Sequence, residues 1–214
     1  YNLKLSKDTA KSPDRISEIT FNAVRVKLFL ILPLFLVLSS LIWFDFIDLK
    51  TFYILLILTI SCIFNSFANH FLIPYRSINR FGVETVYVFF NNLAILSLVT
   101  FIAYSFNDLI LIAVAFMSIK FFFMLATFFK FRNDFKIKFS KFKLKYELIE
   151  TLPYAIHIAV GAMYLNIDTI ILKEYVGDYN IGIYQAGMRA LGAATIGLGI
   201  INSVLVPKFS SLSS

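Results

Sequence analysis

Apolar runs of about 20 residues alternate with short polar or charged segments along the whole chain. A helix needs about 20 apolar residues to cross a hydrocarbon core roughly 30 Å thick. The pattern therefore predicts six membrane-spanning helices, over about 24–44, 52–73, 84–105, 109–129, 152–172 and 180–206. The last run is long and Gly-rich, which predicts a tilted or interrupted span. A polar amphipathic stretch precedes the first. The expected fold class is all-α, a polytopic transmembrane helical bundle with no soluble domain. The chain begins at Tyr1 without the features of a signal peptide and stops at Ser214, just after a span, so a fragment of a longer protein is expected.

Composition strengthens this reading. Of 214 residues, 59% are hydrophobic and 15% charged, against roughly 45–50% and 25% in a soluble domain. Aromatic residues reach 17%, with 25 Phe, more rings than a soluble core of this size hides. A lipid-facing surface accommodates them. The single cysteine, Cys62, excludes an internal disulfide.

The net charge of +7 would suggest nucleic acid in a soluble protein, but the placement of the charges points to topology instead. The segment before the first span holds Lys4, Lys7, Lys11, Arg15, Arg25 and Lys27. The 45–51 connection sets Asp45 and Asp48 against Lys50, and 74–84 carries Arg76 and Arg80. The 105–108 connection has only Asp108, and 130–150 is strongly basic, with Lys130, Arg132, Lys136, Lys138, Lys141, Lys143 and Lys145. In 173–179, Lys173 faces Glu174 and Asp178, and Lys208 follows the last span. Basic and non-basic connections alternate, so by the positive-inside bias the basic ones, including both ends of the chain, are expected in the cytoplasm. The 130–150 loop serves topology and attraction to anionic lipid. As the longest connection it is also the expected boundary between an amino-terminal bundle, 1–130, and a second bundle starting in 151–214, with 131–150 between them.

Polar side chains inside the spans are the candidate chemistry, because ionisable groups at membrane depth are costly and usually face a bundle interior or a watery cavity. Asn65 and Asn69 lie four apart on one helix face with Cys62. Asn91 and Asn92 lie in the third span, and Lys120 lies mid-span among phenylalanines. His157, Gly161, Tyr164 and Asp168 form one stripe, and Gly182, Gln185, Arg189 and Gly192 another. Amides and glycines in membrane helices commonly act as packing contacts, and His157 fits a hydrogen-bonded structural role. Lys120 either snorkels or faces a cavity. Arg189 stays charged and has to pair, reach water or bind an anion. Asp168 lies near Lys173, where a structural pair is as good an account as function.

No enzymatic constellation emerges. Two histidines and one cysteine make no metal-ligand set, and neither a phosphate-binding loop nor a nucleophile elbow occurs. The protein is expected not to be an enzyme and to need no cofactor.

From Leu152 onward the sequence resembles the seventh and eighth helices of bacterial polysaccharide flippases, the O-antigen and capsule repeat-unit exporters of the multidrug/oligosaccharidyl-lipid/polysaccharide exporter superfamily. The likeness rests on Leu152-Pro153 opening a helix, Asp168-Thr169 among aliphatics, Gly177-Asp178 in a tight loop, Gly182-Ile183-Tyr184 with Ala186 opening the next helix, and Pro207-Lys208 with Phe209-Ser210 closing it. Weaker matches are the polar run Lys11 to Glu18 and the Arg-containing connection Tyr75 to Gly82. The resemblance implies helices three to eight of a two-lobed exporter in the bacterial inner membrane. The implied activity is flipping an undecaprenyl-diphosphate-linked oligosaccharide by alternating access. The implied partners are this lipid-linked substrate, membrane lipids and polysaccharide polymerase or assembly proteins, and not nucleic acid.

The substrate-site candidates are Arg189, Lys120, Asn65, Asn69, Gln185, His157 and Asp168, with Arg189 and Lys120 expected to meet the diphosphate. A cation-coupled drug antiporter of the same superfamily is the nearest alternative, but it calls for carboxylates in its cavity, whereas the spans here carry cations. A non-transporting scaffold for polysaccharide assembly is the alternative from another class.

Overall fold

A computed structural model of the chain describes residues 5, 8, 9, 13–44, 47–106, 108–135, 144–177 and 179–193. Helices account for nearly all of these. A 3-10 turn at Pro13–Arg15 leads into α1, Ile16–Trp43. There follow α2, Leu49–Ser77, α3, Phe81–Phe106, α4, Leu109–Asp134, and α5, Leu144–Lys173. A sixth helix, α6, covers 179–193 of the described residues. The first four are long and apolar enough to cross a membrane, and α5 makes a fifth if its two bent halves count as one span. The chain is an all-α polytopic bundle. The part of the expected sixth span over 194–206 lies outside the described residues, as do Asp178, Pro207, Lys208, Phe209 and Ser210. Lys4, Lys7, Lys11, Lys136, Lys138, Lys141 and Lys143 lie outside them as well.

The helix ends follow from local chemistry. Asp48 caps α2, its carboxylate accepting from the backbone N–H of Lys50 at 3.1 Å and of Thr51 at 3.3 Å. The Thr51 side-chain hydroxyl first, and then these backbone bonds, hold the Asp48 carboxyl below its ordinary range. Asp108 caps α4 through the Ile110 N–H at 2.9 Å. At the other end of α2, Asn79 takes a left-handed φ of 58°. The Arg80 N–H reaches back to the Tyr75 carbonyl at 2.8 Å and the Asn79 N–H to that of Arg76 at 3.2 Å. This pair of bonds is a Schellman stop, with asparagine in the position glycine usually takes.

Two helices are longer than the apolar pattern indicated. α1 starts at Ile16 rather than near 24, because Ile16, Thr20, Ala23 and Val26 form one buried stripe that packs on the bundle. α5 starts at Leu144 rather than at Leu152, so Pro153 lies inside the helix instead of opening it. Membrane helices tolerate an interior proline. α5 also bends by 46° between Glu147–Tyr164 and Asn166–Lys173. There the Asn166 side chain donates to the Ala162 carbonyl at 2.8 Å, the kind of local bond that competes with the helix ladder.

Contacts divide the chain into two compact units, Tyr1–Ala155 and Ile156–Ser214. In the first, α2 packs most extensively on α4 and also touches α1 and α3, while α3 packs on α4. The core sits where α1 begins and α2 and α4 end, around Phe67, Phe71, Leu72, Tyr75, Phe123 and Phe131. The Phe131 ring lies 5.6 Å from Phe71 and 6.2 Å from Phe21 between centroids, within the range of favourable aromatic pairs. The outside is apolar, with Leu32, Leu36, Phe90, Leu96 and Phe122 all exposed, as a lipid-facing surface requires. In the second unit, α5 turns through 174–177 into α6.

Candidate functional site

The polar groups of the first unit converge on two consecutive residues of α2, Asn65 and Ser66. From α4, the Lys120 ammonium donates to Asn65 Oδ1 at 3.1 Å and to Asn91 Oδ1, on α3, at 3.4 Å. Asn91 in turn donates from Nδ2 to Asn92 Oδ1 at 3.1 Å. The Lys120 ammonium also lies 5.4 Å from the Phe116 ring centre and 5.9 Å from that of Phe123. Lys120 and Asn91 are each only 7% exposed. An ammonium has three donors, and here two amide oxygens and two ring faces receive them. The result is a buried cation tying three helices together through neutral partners, turned into the interface of α2, α3 and α4.

On the adjoining face of α2, Lys27 of α1 donates to the Ser66 carbonyl and to Ser66 Oγ, both at 2.9 Å. One turn further along α2, His70 is fully buried and its Nε2 lies 3.0 Å from the Thr20 carbonyl of α1. α2 is thus the helix to which its neighbours attach by polar side chains. Two open grooves flank these contacts. One, of about 460 Å³, runs between α1 and α2 and is lined by Lys27, Leu34, Leu58, Cys62, Ser66 and Phe67 among others. The other, of about 510 Å³, lies between α3 and α4 beside Phe90, Asn91, Phe122 and Phe123. At the basic end, the Tyr75 hydroxyl donates to Asp134 Oδ2 at 2.9 Å and Lys130 pairs with the same carboxylate at 3.0 Å. Arg76 Nε donates to Glu84 at 2.9 Å, which ties α2 to the start of α3.

In the second unit the polar pairs join α5 to α6. Tyr184 donates its hydroxyl to the Asp168 carboxylate, and Gln185 donates to the Thr169 hydroxyl. Asp168 also accepts from the Thr169 N–H at 2.7 Å. The four residues form a clamp on the helical hairpin. His157 and Arg189 are exposed, as are Gly161 and Tyr164 of the same stripe as His157.

The seven residues singled out from the sequence are therefore distributed as follows. Asn65 and Lys120 are joined directly. Asp168 and Gln185 act in neighbouring halves of one clamp. Asn69 is half-buried one turn from Asn65 and has no hydrogen-bond partner among the described residues. His157 and Arg189 share no hydrogen bond with Asp168 or Gln185 among the described residues. The pattern reading missed Lys27, Ser66, His70 and Tyr75. Lys27 was counted with the basic residues ahead of the first span. The buried stripe Ile16, Thr20, Ala23 was the available signal that α1 starts earlier and carries Lys27 inside the bundle. Among the described residues, no group of three or more His, Cys, Asp or Glu gathers to hold a metal ion.

Residues 1–213 match the family model described as polysaccharide biosynthesis protein. Neither a curated protein nor a solved structure gives a significant match. With almost the entire length covered, the chain belongs to the polysaccharide biosynthesis protein family.

Proposed function

We propose that this chain is part of a non-enzymatic transporter that flips a lipid-linked oligosaccharide, an undecaprenyl-diphosphate repeat unit of O-antigen or capsule, across the bacterial inner membrane. The observation that carries the reading is the family match over residues 1–213 of a chain with at least four membrane-spanning helices and no soluble body among the described residues. A family devoted to polysaccharide biosynthesis that offers mainly helices to a bilayer is suited to moving glycan across it. Alternating access between two helical bundles supplies the mechanism.

The residues divide their roles in this reading. Arg189 presents a planar guanidinium fork exposed on α6, and it receives the diphosphate through forked hydrogen bonds. Lys120 acts through the packing of α2, α3 and α4 that it holds together. The basic connections and both ends of the chain face the cytoplasm, where the lipid-linked precursor is loaded, and polysaccharide polymerase or assembly proteins are its partners in the pathway. Deleting the full-length gene in its host and extracting lipid-linked oligosaccharides tests the reading. The expected result is accumulation of undecaprenyl-diphosphate repeat units with loss of surface polysaccharide. Unchanged lipid-linked pools and surface glycan would overturn it.

A further inference from the structure

The hydrogen bonds around Lys120 have a direction. An ammonium can only donate, so the side-chain oxygens of Asn65 and Asn91 turn toward it. Asn91 is then left with its Nδ2 group, which donates to Asn92 Oδ1 at 3.1 Å. The series ends in the two N–H groups of Asn92 Nδ2, and bonds linked in this way polarise one another, so the buried charge strengthens these outer donors. Asn91 is buried, whereas Asn92 is exposed on α3. Asn92 stands 11 residues from the first residue of α3 and 14 from the last, about 17 and 21 Å along the axis, so the donors open near the middle of the bilayer. Hydrocarbon offers them no acceptor, and none of the described residues accepts from them.

Asn92 shares its face of α3 with Thr85, Phe89, Leu96 and Thr100, all of them exposed. Polar and apolar side chains alternate along this face. The Thr85 hydroxyl bonds back to the Phe81 carbonyl at 3.1 Å, which a threonine facing lipid also does, so the threonines alone select no occupant. The Asn92 amide does select one, because its free end is made of donors.

We infer that this face of α3 contacts the sugars of the lipid-linked oligosaccharide, with Asn92 donating to a hydroxyl or carbonyl oxygen of the glycan as it passes the bilayer centre. The inference rests on the proposed function and adds a contact for the part of the substrate that Arg189 does not receive. Sugar rings carry oxygens on their edges and C–H groups on their faces, which match the donors of Asn92 and the side chains of Phe89 and Leu96. A diphosphate calls for a cation in direct contact, and Lys120 lies behind the amides. A polyprenyl chain has no oxygen to accept the bonds.

The test uses the full-length gene in its host, with lipid-linked oligosaccharide and surface glycan measured per amount of folded protein beside the gene deletion. Asn92→Asp keeps an oxygen for Asn91 Nδ2 and replaces the outward N–H groups by a second oxygen. Export should fall by about tenfold or more, because a bond to a sugar oxygen becomes a repulsion. Asn92→Gln, which retains the donors, should stay within about threefold of wild type. A residue that served only as the acceptor for Asn91 would tolerate the aspartate. Normal export by folded Asn92→Asp, beside a deletion that accumulates lipid-linked oligosaccharide, therefore overturns this inference and leaves the proposed function standing, whereas a deletion without accumulation overturns both. Benzoylphenylalanine in place of Leu96, one turn from an intact Asn92, keeps the test decisive if the aspartate variant fails to fold. On illumination it should capture radiolabelled glycolipid. Capture of polypeptide alone would assign the face to a neighbouring helix or a second copy and overturn the inference.

Discussion

The two units use polar side chains in opposite ways. In the first, the bonded partners are far apart in sequence, Lys120 with Asn65 and Asn91, Lys27 with Ser66, His70 with Thr20, and most of them are buried. In the second, the clamp pairs are 16 residues apart across one turn, and the surrounding faces of α5 and α6 are mostly exposed. Hydrocarbon gives helices little hydrophobic reason to associate, so van der Waals packing and interhelical hydrogen bonds decide the arrangement. Long-range buried bonds therefore define which helices meet in the first unit. The local clamp of the second needs only a hairpin to form. Breaking a bond in the first unit should loosen several helices together, whereas breaking one in the second should loosen only the turn.

The largest effect is expected from the aromatic core. Phe131 is fully buried against Phe71 and Phe21, so Phe131→Ala should lower the unfolding free energy of the first unit by about 3 kcal/mol, as cavity formation does in other cores. Steric trapping in micelles measures it, and a loss well under 1 kcal/mol would show that lipid or detergent fills the space. Next comes Asn65→Leu, which leaves the Lys120 ammonium buried with half of its oxygen partners. The expected loss is about 2 kcal/mol. The same change in a Lys120→Met background should cost much less, because the charge that needed the oxygen is gone, and the double-mutant cycle reports the coupling. Equal costs in the two backgrounds would mean that Asn65 matters for its shape and not for its bond to Lys120.

These pairings mark the limit of what the apolar pattern made legible. The second, third and fourth spans were placed within about five residues of their helices, since hydropathy records contact with lipid directly. The all-α class followed from the same signal. The early start of α1 was not visible, because residues 16–23 are too polar for a hydropathy window and are held by packing on α2. Asn65, Asn69 and Lys120 stood out as polar groups at depth, and two of the three meet. Which amide would face the lysine depends on the rotation of three helices, which spacing within one helix leaves open. His70 was passed over although it lies within the second span, as nothing near it in sequence reveals the Thr20 carbonyl 50 residues away.

A smaller effect tests whether the basic end belongs to the same cooperative unit. Tyr75→Phe keeps the ring against Phe135 at 5.4 Å and removes only the hydroxyl that donates to Asp134. The expected loss is about 1 kcal/mol, read by the same unfolding measurement. Asp134 keeps its pair with Lys130, which limits the damage. A much larger loss would mean that the Tyr75 hydroxyl, and not the phenylalanine cluster, fixes the ends of α2 and α4.

The smallest effect should come from the clamp, and its value lies in separating two accounts of Asp168. The carboxylate accepts from the Tyr184 hydroxyl and from the Thr169 N–H. The two bonds fall on different oxygens, so an asparagine keeps the Thr169 N–H on its one oxygen while its amide nitrogen donates to the Tyr184 hydroxyl in place of accepting from it, and it brings no charge. If the residue holds the hairpin by hydrogen bonding, Asp168→Asn should leave the unfolding of the first unit unchanged. Under the proposed function, glycan export by the full-length protein should then stay within about threefold of wild type, the size of one interhelical bond in a membrane. Tyr184→Phe should behave alike, with faster hydrogen exchange confined to the turn at 174–177. If the negative charge itself is required, Asp168→Asn should abolish export while Tyr184→Phe leaves it intact. That split would move Asp168 from the hairpin clamp to the transport chemistry, and the contrast between a packed first unit and a locally clamped second one would then no longer describe where function resides.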